Sequence, residues 1–175
     1  DNNRIPDKPP CDDVARFRDT GCVAVETRAA VSTAESALEN ATLLDAGRGS
    51  FLVHADVAGR RASDYAIPGY PYQFPPDPPP PVDGRQPNSF NRSAGASVGG
   101  SFVNENGYLG VAITQYNSVY RLPGIEPTEN NVRIDLRQTK VSGKGELRPD
   151  STYIEAIRGW AGLVDYKHNE LANEG

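Results

Sequence analysis

His54, Asp56 and Arg60 are hydrogen-bonding and charged side chains on one parity of a single stretch, and their spacing is even. They lie in Phe51-Leu52-Val53-His54-Ala55-Asp56-Val57-Ala58-Gly59-Arg60, where Phe51, Val53, Ala55 and Val57 alternate with them. A period of two over about ten residues is the pattern of a strand with two unlike faces. Lys140, Lys144 and Glu146 share a parity in the same way, and Arg158 sits on the polar parity of a later strand. Such sets suit contacts with a polar, water-accessible interior. Catalysis is not expected, because the sequence has no Gly-x-Ser-x-Gly, no His-Glu-x-x-His and no phosphate-cradling glycine loop. Paired carboxylates carry no weight in a chain with 23 Asp and Glu residues.

A second candidate surface is the loop over 65–91, which holds nine of the fifteen prolines. Tyr65, Tyr70, Tyr72, Phe74 and Arg85 could form an aromatic recognition surface there, or the aromatics could pack the loop on itself and on neighbouring loops. The run Pro78–Pro81 favours stiff, extended polyproline II. Cys11 and Cys22 flank a polar stretch; in an oxidising compartment they could close one small loop, worth about 3 kcal/mol, and otherwise they are two unpaired thiols. No CxxC is present, and two cysteines alone make a poor metal site. A net charge of −5 argues against a nucleic-acid partner, which calls for a basic footprint.

Seven strands are expected to carry these residues. Val23–Ala29 alternates; 30–46 has both helical and strand character and is read as a strand returning after a Ser32–Ala34 turn. The strand at 49–64 follows, then 94–102, 108–121, 132–147 and 157–168. The turns at 47–49, 104–107 and 148–152 are short, whereas the connections at 65–91 and 122–131 are long. In 132–147 the apolar parity changes near Arg137-Gln138, which predicts a bulge or the exit from an apolar layer. Tyr108, Tyr116, Tyr120 and Trp160 are candidates for aromatics at a membrane interface, although Trp160 falls on the polar parity. Residues 1–21 are polar and non-periodic. No run of 18 apolar residues marks a membrane helix, which leaves barrel strands open. With no leader and no Met, the chain is expected to begin inside something larger or after processing.

Short and long connections that largely alternate, the short 32–34 connection on the long-loop rim being the exception, match an outer-membrane barrel, with trimmed turns on one rim and loops on the other. At this point the chain resembles the TonB-dependent outer-membrane receptors. Asp1-Asn2-Asn3-Arg4-Ile5-Pro6 looks like the exit from that family's plug domain, and Arg60–Gly69 like an early barrel strand and its loop. Ser97–Phe102 with Asn117–Ile125 looks like the next hairpin; Arg133–Lys140 and Asp165–Glu170 continue it.

The resemblance implies an all-β fold: a long antiparallel meander of about seven strands forming a curved open sheet, part of a 22-stranded transmembrane β-barrel. Residues 1–21 would connect plug to barrel, and 22–175 would be the first barrel strands, with 65–91 and 122–131 as extracellular loops. It implies a fragment of a receptor in the outer membrane of a Gram-negative bacterium. That receptor would take up a scarce nutrient, a ferric siderophore or another metal complex, with energy from TonB. His54, Asp56, Arg60, Lys140, Lys144, Glu146 and Arg158 would then face the lumen and plug. Metal-handling relatives carry His-rich or acidic loops; here Ile125–Asn130 has no His, so no metal site and no cofactor are expected. The alternative is a soluble β-rich module that recognises a glycan or peptide through the proline and tyrosine loop. That module must bury the apolar face of Val53, Ala55, Val57, Val98, Leu109, Val111, Ile113 and Val141, which a barrel wall leaves uncovered.

Overall fold

The computed structural model describes residues 4–11, 14–72 and 84–173. Seven strands, β1 (Cys22–Ser32), β2 (Ala37–Arg48), β3 (Phe51–Ala62), β4 (Asn91–Asn104), β5 (Gly107–Arg121), β6 (Arg133–Leu147) and β7 (Ile157–Leu171), form one antiparallel sheet in sequence order. The ambiguous 30–46 stretch is strand on both sides of a turn at 33–36. Two short helices stand outside the sheet, α1 (Val14–Asp19) and α2 (Ile125–Glu129). Neither shows as a period in the sequence. The first edge of β1 and the last edge of β7 have no partner strand among the described residues.

Two-residue turns at Gly49-Ser50 and Glu105-Asn106 trim one rim, where 148–156 also connects β6 to β7; residues 63–90 and 122–132 connect strands at the other. The pairing in β6 runs without a break from Arg133↔Leu171 to Leu147↔Ile157, and from Arg121↔Arg133 to Gly107↔Leu147 on its other side. The expected bulge near Arg137-Gln138 is therefore absent. The change of parity fits the other alternative, the exit from the apolar layer, since Arg133, Asp135 and Arg137 take the outer positions toward the loop rim. Val132 and Ile134 are buried at the loop rim, on the face that carries Lys140 and Lys144 lower down, while Val141 and Leu147 lie on the opposite face.

The sheet has one partly covered and one bare face. The inner face carries Cys22, Leu52, His54, Ser97, Ser101 and Ala112, all buried. Among the described residues an apolar cluster joins Phe17 of α1 to Cys22 and Leu52 near the short-turn rim, with Cys11 and Val103 packed against it. Cys11 and Cys22 are joined by a disulfide. Opposite this face, Val23, Val25, Phe51, Val53, Val57, Val98, Leu109, Val111, Ile113, Val141 and Leu163 are exposed. Phe51 and Phe102 meet edge to face on this outer side, with centroids 5.4 Å apart. Tyr108, Tyr116 and Tyr120 lie with Gly110, Ala112 and Ser118 on the inner parity, opposite Glu146, Gln138 and Ile134. Trp160 pairs with Lys144 on that face. These four residues are thus not aromatics of the apolar side, because each has the parity opposite to Leu109, Val111 and Ile113.

Candidate functional site

The inner wall gathers the polar residues that the alternation singles out. A two-residue turn after Arg48 sets Asp45 directly opposite His54. His54, 5% exposed, presents Nδ1 to Asp45 Oδ1 (2.7 Å) and Nε2 to Asp56 Oδ2 (3.1 Å). A ring with one N–H donates to one of these carboxylates; a doubly protonated ring donates to both. Asp56 also accepts from Ser97 Oγ and from Arg4 Nε at 3.3 Å. Arg60, farther up β3, is held instead by Glu35 (2.6 Å) and Glu39.

A second group spans β5 to β7. Lys144 Nζ donates to Asp7 Oδ2 (3.1 Å) and lies 5.3 Å from the centre of the Tyr108 ring. Glu146 takes Arg148 on one carboxylate oxygen and Arg158 on the other, at 2.6 Å each. Lys140 forms no ion pair among the described residues. It borders a depression with Thr114, Ser142 and Trp160, and the Trp160 indole is 84% exposed. Among the described residues, no three His, Cys, Asp or Glu side chains converge as metal ligands.

The N-terminal segment runs across this wall. Ile5 is 6% exposed, and Ser101 Oγ donates to the Pro6 carbonyl. Gly99 and Gly110 make the track: a Cβ on Gly99 would overlap the Arg4 carbonyl oxygen, and one on Gly110 would lie 2.7 Å from Ser101 Cβ and overlap Ile5. Arg4–Asp56 and Lys144–Asp7 fasten the strap at two heights, and the disulfide fixes its far end to β1. The composition of residues 1–21 indicates a connector, but it does not reveal that the segment is docked.

Neither a family model nor a curated protein matches this chain.

At the loop rim the aromatics pack with their neighbours. Tyr70 and Tyr72 meet edge to face at 5.9 Å. The Tyr72 hydroxyl donates toward Thr128 Oγ1 (3.3 Å) and the Gly124 carbonyl (3.5 Å) at α2. The Tyr70 hydroxyl is buried and finds no partner among the described residues. Burial, with Tyr72 beside it, pushes its pKa above the ordinary phenol value. Arg85 donates to the Asp64 carbonyl, and Tyr65 is partly exposed, its backbone N–H donating to Ser89 Oγ (3.1 Å). Phe74 and Pro78–Pro81 lie outside the described residues.

Asn88 also joins the two loops. It is 4% exposed with φ 58°, and its side-chain N–H groups face the carbonyls of Leu122 (2.7 Å), Pro127 (3.0 Å) and Val132 (3.2 Å). Asn suits both demands, since it tolerates the left-handed region better than most residues and carries two donors. Asn88→Ala should cost about 1–3 kcal/mol by taking the amide donor from the Leu122 carbonyl and from those of Pro127 and Val132, which keep the backbone N–H groups of Val132 and Leu122. Asn88→Gly keeps the backbone but not the donors and should lose most of the same stability. Denaturant titration of both variants checks this; a Gly variant as stable as the wild type would place the effect in the backbone instead.

Proposed function

We propose that this chain is part of the wall of a transmembrane β-barrel in the outer membrane of a Gram-negative bacterium, in a receptor of the TonB-dependent kind. The observation that carries the reading is the bare outer face. Monomeric soluble proteins rarely leave apolar patches larger than a few hundred Å² open, whereas lipid covers such a face at no cost. Its height fits as well. On β3 the outer positions run from Phe51 to Arg61, on β4 from Phe102 to Arg92, and on β6 from Leu147 to Arg137. Ten residues at about 3.3 Å each span about 33 Å along a strand. At a tilt of about 40° this becomes about 25 Å, the height of a barrel's apolar band.

In this reading the free edges of β1 and β7 are where further strands of a closed barrel, 22-stranded in this family, would pair. The inner residues His54, Asp56, Arg60, Lys140, Lys144, Glu146 and Arg158 face the lumen and a plug domain. Residues 63–90 and 122–132 are the extracellular loops, where Tyr65, Tyr70, Tyr72 and Arg85 would meet a ligand. That ligand is a scarce nutrient, a ferric siderophore or another metal complex, whose uptake TonB energises. The soluble-module reading requires a second layer over the outer face, and none of the described residues forms one.

Detergent dependence tests the proposal. The purified chain should precipitate or aggregate in buffer and become monodisperse, with a strand circular-dichroism signature, in maltoside micelles. A chain that is monomeric without detergent and unfolds cooperatively would sink the reading.

A further inference from the structure

The charges on the two faces are arranged differently. Inner-wall arginines are neutralised locally, as in Arg4–Asp56, Arg28–Glu26, Arg60–Glu35 and Arg158–Glu146. The outer face near the loop rim carries Arg61, Arg92, Arg121, Arg133, Arg137 and Lys167, against only Asp135 and Asp165. All six are exposed. Arg133 has Asp135 at 3.5 Å; the other five form no ion pair among the described residues. This occurs in a chain whose net charge is −5.

The pairing register sharpens the point. Arg61 stands directly opposite Arg92, Arg121 opposite Arg133, and Arg137 opposite Lys167. Directly opposed side chains on one face have Cβ atoms about 5 Å apart, and like charges so placed destabilise the sheet. Three such pairs along one rim call for anions between them. Asn117 and Asn169 flank the Arg137–Lys167 pair in a shallow depression that Asp135 also lines, and they add amide donors. A phosphate fits each pair, since arginine forks bind its oxygens two at a time and lysine supplies a point charge. The bare apolar band begins directly below. A ligand matching both parts has acyl chains and a phosphate head.

We propose that the outer rim of β3–β7 is a binding site for a phosphorylated membrane lipid, the phosphates seated between the basic pairs and the acyl chains lying on the apolar band. The proposal rests on the membrane-wall reading above. It goes beyond that reading by naming a ligand of the outer face rather than of the lumen.

Native mass spectrometry of the chain in neutral maltoside micelles tests it, with phosphatidic acid, phosphatidylcholine and inorganic phosphate as probes. Phosphatidic acid should be retained in preference to phosphatidylcholine. The double variants R61Q/R92Q and R137Q/K167Q should each weaken its retention roughly thirty-fold, the effect of two charges at an anionic lipid surface. The matched double variant R18Q/R28Q, which removes two charges elsewhere, should leave it unchanged. Equal retention of the two lipids, or an equal loss in the matched variant, overturns the proposal. Displacement of the lipid by inorganic phosphate at equal concentration would reduce the site to one for simple anions and overturn it too. Should a glutamine variant lose its strand signature, R61K/R92K decides: retained phosphatidic acid supports the site, and loss in a folded protein overturns it. A chain soluble without detergent defeats the membrane reading itself, whereas a detergent-requiring chain indifferent to phosphate defeats only this proposal.

Discussion

Val98→Arg should destabilise the chain by about 2–4 kcal/mol in lipid or micelles, the cost of an arginine on the lipid face near the bilayer midplane. Val98 is 50% exposed and sits between Ala55 and Ile113 on the outer face. It lies four residues from Phe102 at the short-turn rim and six from Arg92 at the other, near the middle of the band. In a water-soluble protein the same substitution, at an exposed position away from any cap, turn or buried network, would move stability by no more than about 0.5 kcal/mol. The two environments thus predict different magnitudes for one change, which urea titration in micelles measures. Thr114→Arg supplies the contrast of face. Thr114 follows Ile113 directly but points to the inner wall, beside Ser97 and Lys140, so an arginine there should cost less than at Val98, about 1 kcal/mol or below from the like charge of Lys140 directly opposite. Equal costs at the two positions would mean that the faces do not differ as the proposal requires.

Much of this arrangement is legible in the residues, and the limits have physical reasons. The strict alternation of Phe51–Arg60 places His54, Asp56 and Arg60 on one face without further information. Their partners depend on register, and register depends on where the turn sits. A turn at 47–49 would set His54 opposite Thr42; the turn at Gly49-Ser50 sets it opposite Asp45. The same dependence hides the opposed basic pairs at the outer rim. Tyr108, Tyr116 and Tyr120 are a different matter, because their even numbering against Leu109, Val111 and Ile113 already assigns them to the inner wall. Helix α1 has no periodic signal because a helix of six residues is not stable alone; its place is set by Phe17 packing on Leu52 and Cys22. Asn88 announces only a turn, and its three carbonyl contacts come from loops distant in sequence.

Gly99→Ala should detach the N-terminal strap. The new methyl would overlap the Arg4 carbonyl oxygen and lie 3.0 Å from Ala112 Cβ. The obstacle is backbone on one side and a sheet-bound residue on the other, so no side chain can swing away. Overpacking of this kind costs about 1–3 kcal/mol, and the strap can escape it by lifting. Lifting exposes Ile5 and breaks the Arg4–Asp56 and Lys144–Asp7 contacts together. The disulfide at Cys11–Cys22 keeps the far end attached, so the loss is confined to the residues before it. Trypsin reads this directly. The Arg4–Ile5 bond is shielded while Ile5 is buried against Gly110, and should become cleavable in the variant, with loss of the first four residues by mass. Gly100→Ala is the control, since a Cβ there would point to the outer face and meet the Leu52 carbonyl oxygen at 3.4 Å, an ordinary contact. Gly100→Ala should therefore stay as resistant as the wild type. If Gly99→Ala resists trypsin equally and keeps full stability, the strap is not held by its fit to the glycine track, and the contacts of Arg4 and Asp7 with the wall must bear it alone.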